Sequence, residues 1–129
     1  MRLLLDTHIL FWFLLDQEDR LTAREVEAIR DADNAACVSV ASYWEAAIKS
    51  SLGELALPKP SVPFLLDQVN LHRFEALPIE AADTAQVERL PALHRDPFDR
   101  LIVAQALRHG LTLLTRDAMV KQYPAKIFE

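Results

Sequence analysis

The chain opens with Leu3-Leu4-Leu5-Asp6-Thr7-His8-Ile9-Leu10-Phe11-Trp12-Phe13-Leu14-Leu15, an apolar run, one acid, and a second apolar run. The first run, Arg2 to Leu5, lacks polar alternation and predicts a strand covered on both faces. The second, His8 to Leu15, is too continuously apolar for a surface element and predicts a buried helix. The rest of the chain repeats this pairing. Ala35 to Val40, Phe74 to Ile79 and Leu111 to Thr115 read as short strands, and Lys126 to Phe128 as an edge strand. Helices are predicted over Leu21 to Ala32, from Ser42 to a stop near Gly53, over Phe64 to Leu71, over Ala81 to Leu90, and through Leu101 to an end at Gly110. A shorter helix is expected over Asp117 to Gln122. Pro58, Pro60 and Pro63 stiffen a connection between two helices of one domain. Short strands alternating with longer helices predict a parallel sheet with helices on both faces.

Composition bounds the possibilities. The 129 residues are 51% hydrophobic and 26% charged, which excludes a disordered or fibrous chain and suits one domain spanning residues 1–129. A single cysteine, Cys37, permits no intrachain disulfide and reads as a core residue, in keeping with a reducing cytoplasm. The apolar run Ile9 to Leu15 falls far short of the ~18 residues of a spanning helix, and Asp6 interrupts the place of a signal peptide, so a soluble cytoplasmic protein is expected, with no membrane partner. Nineteen acids against 14 Lys plus Arg give a net charge of −5. Taken alone, that charge argues against a nucleic-acid partner.

The position of the acids changes the argument. In an open parallel α/β sheet, ligands bind beyond the carboxyl ends of the strands. Asp6 ends the first strand, Glu45 follows the second by about a helical turn, Asp96 and Asp99 open the helix before the fourth, and Asp117 follows that strand. Carboxylates converging there would repel by about 4 kcal/mol per pair at 4 Å with an effective dielectric near 20. Such a group needs cations, and oxygen ligands without a Cys or His set select Mg²⁺ or Mn²⁺ rather than zinc. Helix capping is the competing explanation, because Asp is a preferred N-cap. Asp96-Pro97-Phe98-Asp99 resembles a capping box with proline at the first helical position, and Ser42-Tyr43-Trp44-Glu45 fits the Ser-x-x-Glu form. Spacing alone leaves both readings open. Two details favour the metal: Thr7 is able to cap the next helix, which makes Asp6 a surplus buried charge, and Asp99 starts a helix apolar enough to lie in the core.

The segments Leu3-Leu4-Leu5-Asp6-Thr7-His8, Val38-Ser39-Val40 through Trp44-Glu45 with Lys49 and Gly53, His94-Arg95-Asp96-Pro97-Phe98-Asp99-Arg100-Leu101-Ile102-Val103-Ala104-Gln105-Ala106, and Leu113-Leu114-Thr115-Arg116-Asp117 resemble PIN-domain proteins, specifically the VapC-type ribonuclease toxins of type II toxin–antitoxin pairs. The likeness covers essentially the whole chain, in order. It implies a three-layer α/β/α sandwich whose central, mainly parallel sheet has four to five strands. It also implies a Mg²⁺- or Mn²⁺-dependent endoribonuclease and a cognate VapB-like antitoxin. The family's four acids fall on Asp6, Glu45, Asp99 and Asp117, with Asp96 a less certain ligand. Asp6 and Asp99 are expected as direct metal ligands, Glu45 as a ligand or a water-orienting group, and Asp117 at a second site or an outer shell.

Around these acids, Thr7 and Thr115 are candidates for hydrogen bonds that fix the carboxylates. Lys49, Arg95, Arg100 and Arg116 are either phosphate contacts for RNA or simple balance for the acids. His8 and His94 read as packing or hydrogen-bonding residues rather than ligands, and Trp12 and Trp44 as core or interface packing residues rather than base-stacking platforms. A homodimer or antitoxin surface and plain core burial explain the apolar helix His8 to Leu15 equally well. Two alternatives stand beside the nuclease. One is a non-catalytic RNA- or protein-binding module on the same fold. The other is an Asp-nucleophile phosphatase, disfavoured because His8 stands where its second Asp belongs. Setting aside Asp6, Glu45, Asp96, Asp99 and Asp117 leaves 14 acids against 14 bases. The excess negative charge thus belongs to a local site on an otherwise balanced protein, where a bound cation would reverse the field met by a phosphate.

Overall fold

The computed structural model describes residues 1–129 and contains a five-stranded, wholly parallel sheet. Strand β1 (Arg2–Leu5) pairs with β2 (Ala35–Ser39) on one side and with β4 (Thr112–Leu114) on the other; β3 (Glu75–Leu77) and β5 (Lys126–Ile127) form the edges, giving the order β3-β2-β1-β4-β5. Helices α1 (Thr7–Leu14), α2 (Ala23–Arg30), α3 (Val40–Ser51), α4 (Ser61–Leu71), α5 (Ala81–Glu88) and α6 (Pro97–His109) complete the fold.

Alternation along the strands divides the core into two layers. Leu3 and Leu5 of β1, Val38 of β2 and Leu114 of β4 join Ile9, Leu10 and Phe13 of α1 and Leu65 of α4 on one face. Leu4, Cys37 and Leu113 point the other way and pack with Ile102, Val103 and Ala106 of α6. The sheet is therefore the middle of an α/β/α sandwich, as expected. Leu3, Leu4 and Leu5 are all fully buried, which explains the absence of polar alternation in the opening run. Five residues of α1 that read as apolar, Ile9, Leu10, Phe11, Phe13 and Leu14, enter the core, so core burial accounts for that helix.

Helix ends differ from the sequence reading in informative ways. Helix α3 begins at Val40, two residues before the expected Ser42, because Ser39 is the N-cap and its Oγ accepts Ala41 N–H at 3.0 Å. The Ser42-x-x-Glu45 capping box does not exist; Ser42 lies inside the helix and its Oγ shares a 2.9 Å hydrogen bond with Thr7 Oγ1. Pro63 belongs to the first turn of α4, which starts at Ser61. The helix expected over Asp117 to Gln122 is only a 3₁₀ turn over Val120–Gln122, and a further 3₁₀ turn spans Glu18–Arg20. Gly110 ends α6 with φ of 64°, the left-handed geometry for which glycine is suited. No helix is long and apolar enough to cross a membrane.

Candidate active site

Strand order reverses around β1, because the chain passes from β1 to β2 on one side and later returns to β4 on the other. A crevice is expected at the carboxyl end of such a switch point. Asp6 lies there: its N–H continues the ladder to Leu114 O at 3.1 Å, and its carboxylate is buried. Oδ1 accepts Ile9 N–H at 3.0 Å and caps α1, while Oδ2 accepts the Thr115 hydroxyl. This corrects the view of Asp6 as a surplus charge, since Thr7 sits inside the helix and bonds Ser42 instead of capping or fixing a carboxylate. Burial nevertheless wins over both hydrogen bonds and holds the Asp6 carboxyl above its ordinary value.

Thr115 joins two acids. Its Oγ1 donates to Asp6 and accepts Asp117 N–H at 3.1 Å, the two roles one hydroxyl can fill at once. Asp117 Oδ1 accepts the N–H groups of Met119 (2.8 Å) and Val120 (3.2 Å). Burial works against its charge, but these N–H groups and His94 outweigh it and keep the carboxyl below the usual value.

Asp96 caps α6 by accepting Phe98 N–H at 2.8 Å and Asp99 N–H at 3.2 Å. The box is not reciprocal, because Asp96 N–H goes to His94 Nδ1 at 3.2 Å rather than to the Asp99 carboxylate. Asp99 is thereby free of capping duty. Burial first, then the charges of Asp96 and Asp6, push its carboxyl up to about 7; Asp117 adds to the effect and His94 opposes it. His94 Nε2 stands 3.0 Å from Asp99 Oδ2 and 3.4 Å from Asp117 Oδ2. Glu45, only 3% exposed, pairs through Oε2 with Lys49 at 2.6 Å, while its buried Oε1 has no partner. Lys49 is held above its ordinary value by that bond and further by Asp96 and Asp99, which places its ammonium in the field of these three acids.

A cleft of about 240 Å³ opens on this edge, lined by Asp6, His8, Trp12, Arg116 and Asp117. A depression of about 770 Å³ over α2 contains none of these acids, so size does not locate the chemistry. The four candidate cations divide. Arg100 spends its guanidinium on Pro91 O, Val87 O and Tyr123 OH, which tie down the loop before α6 instead of presenting a charge to a phosphate. Arg116 bonds Arg20 O and Glu25 yet still lines the cleft. Arg95 is exposed, and Lys49 sits on Glu45. Trp44 is 56% exposed and meets the Phe98 ring edge-on at 5.0 Å, so it is not core packing; Trp12 is partly buried and faces His8 at 5.9 Å. His94 is a hydrogen-bonding residue, as the sequence suggested, but its partners were not foreseen. Its only local signal was adjacency to Asp96, whereas its meeting with Asp117 depends on the fold.

The PIN domain model matches residues 3–126. The chain belongs to the PIN-domain family. Over 120 residues, covering 93% of this chain and 90% of its relative, it is 31% identical to the protein named Ribonuclease VapC22 of Mycobacterium tuberculosis. Its fold is that of VapBC2 from Rickettsia felis, solved bound to a promoter DNA fragment, with a TM-score of 0.72 and 22% identity over 100% of this chain and 98% of that one. DNA-bound VapBC from Salmonella typhimurium gives 0.70 and 15% over 100% and 97%. This is a PIN-domain protein of the VapC type, and its strand-end acids occupy the edge where an α/β sheet of this kind holds its ligands.

Proposed function

We propose that this PIN-domain protein is a Mg²⁺- or Mn²⁺-dependent endoribonuclease acting as the cytoplasmic toxin of a toxin–antitoxin pair. The observation that carries the reading is a set of buried and half-buried carboxylates beside the sheet's switch point. Glu45 Oε1 is buried without a partner, and Asp99 is pushed up to about 7 by burial and by neighbouring acids. A divalent ion fits such a donor set, because it would satisfy the orphaned oxygen and offset the repulsion that raises Asp99. Asp6, Asp99 and Glu45 would hold it, with Asp117 and Asp96 at the margin. When bound, the ion supplies Lewis-acid stabilisation of phosphoryl charge and a more acidic water.

The chain's own residues do the rest. Thr115 fixes the Asp6 carboxylate in one orientation, and the Ile9 N–H holds its other oxygen. Glu45, anchored through Oε2 by Lys49, is left with Oε1 to hold the cation. Arg116 and Arg95 supply positive charge to the flanking phosphates of an RNA strand. Trp44 and Ile48 of α3 and Leu52 at its C-cap, exposed at four-residue intervals, form an apolar stripe suited to an antitoxin or to a second copy in a homodimer. The similarity to a ribonuclease and to proteins solved as VapBC supports both the activity and the antitoxin.

Purified protein incubated with single-stranded and structured RNAs should cleave in Mg²⁺ or Mn²⁺ and stop in chelator. Asp6→Asn and Asp99→Asn should abolish cleavage while circular dichroism shows the fold retained. Undiminished cleavage by a folded Asp6→Asn protein would refute the mechanism. Growth should slow when the chain is expressed alone, and unaffected growth at high soluble expression would remove the toxin assignment.

A further inference from the structure

His94 has no part in the mechanism above, yet it stands between two of the acids. Its Nε2 is within 3.0 Å of Asp99 Oδ2 and 3.4 Å of Asp117 Oδ2. The ligand atoms of all three residues lie within 4.8 Å of one another, a spacing that by itself would suit a metal. The other ring nitrogen decides against His94 as a ligand. Nδ1 accepts Asp96 N–H at 3.2 Å and so bears no hydrogen, which leaves Nε2 as the nitrogen that donates toward the two carboxylates. A protonated nitrogen has no lone pair to offer a cation.

We infer that His94 is a positioning residue whose Nε2–H fills the space between Asp99 and Asp117 that a second divalent cation would need, so that this acidic edge holds one cation rather than two. The inference rests on the proposed metal-dependent activity and narrows it. A second cation held by Asp99 and Asp117 would need the Oδ2 atoms that Nε2 already approaches. The loop that carries the ring is held in place. His94 N–H donates to Tyr123 OH at 2.9 Å, and Arg100 Nη1 donates to the same hydroxyl at 3.1 Å and to Pro91 O at 3.0 Å, which fixes the loop at both ends. Elsewhere among the acids, Glu45 Oε1 is buried without a partner. A positive N–H dipole beside Asp99 and Asp117 also offsets their mutual repulsion without a second ion.

The test counts bound Mn²⁺ by electron paramagnetic resonance on the full chain at saturating metal. Wild type and His94→Gln, which keeps a donor at similar reach, should bind one Mn²⁺ per chain, and His94→Ala should bind two. Asp117→Asn, whose oxygen can still cap the Val120 turn, should leave the count at one, which provides a second measure if His94→Ala does not fold. Two Mn²⁺ in wild type, or one in folded His94→Ala, overturns the inference while leaving the nuclease reading intact. Absence of Mn²⁺ binding together with absence of RNA cleavage overturns the nuclease reading itself, and the inference with it.

Discussion

Two groups of acids in this molecule meet burial in opposite ways. At the start of α5, Asp83 is fully buried, yet it accepts Glu80 N–H at 2.8 Å and Arg108 Nη1 at 2.8 Å. Burial alone would raise its carboxyl; those two partners hold it below the ordinary value instead. At the carboxyl end of β1, Asp99 is less buried but has acids for neighbours and is pushed up to about 7. Asp83 has a full arginine and a backbone donor, while Asp99 has a shared imidazole. Burial alone therefore does not set the direction in which a carboxyl shifts. The supply of cation does.

This contrast breaks first if Asp99 is silent in catalysis. Asp99→Asn should lower RNA cleavage by roughly 10³-fold, the several kcal/mol that metal-assisted stabilisation of phosphoryl charge contributes, while leaving the melting temperature unchanged or higher. Asp83→Asn should do the reverse. Loss of the charge-assisted hydrogen bonds is expected to cost about 2 kcal/mol of stability by urea unfolding, with turnover per folded molecule preserved. The pH dependence sharpens the comparison further. A carboxyl with a raised folded value favours folding below its unfolded value and withdraws that support as pH rises, so metal-free protein should lose stability between about pH 4 and about pH 7. After allowance for solvent screening, that slope amounts to about 2 kcal/mol, and Asp99→Asn should flatten most of it. Thr115→Val removes the hydroxyl that orients Asp6 and should weaken Mn²⁺ binding about 10-fold by titration calorimetry. The smallest effect is expected at Trp44→Ala, within about 0.5 kcal/mol of wild-type stability, because the ring is exposed.

Legibility in the sequence follows range. The strands and helices were readable because apolar spacing is a local signal, and the five strands lie where the runs of Leu, Val and Ala placed them. Strand ends then brought Asp6, Asp117 and the start of α6 to one edge by topology alone. Cap identity was not readable. Ser39 versus Ser42, or Asp6 versus Thr7, depends on where the backbone leaves the extended region, a difference of one or two residues that composition does not encode. Contacts across the fold were also hidden: for Arg100 the sequence leaves phosphate contact and charge balance open, and neither reading includes its bond to Tyr123, 23 positions away. His94 shows the same limit, because its relation to Asp117 exists only after β4 has been laid beside β1.

The most direct test of the account is the unfolding midpoint at pH 7.5 as Mg²⁺ or Mn²⁺ is raised, in wild type and in Asp99→Asn. Because a cation bound only by the folded state relieves the repulsion around Asp99, the wild-type midpoint should climb with metal concentration while that of Asp99→Asn stays nearly flat. A wild-type midpoint indifferent to metal, or an equal climb in the variant, would contradict the claim that these strand-end acids form a cation site.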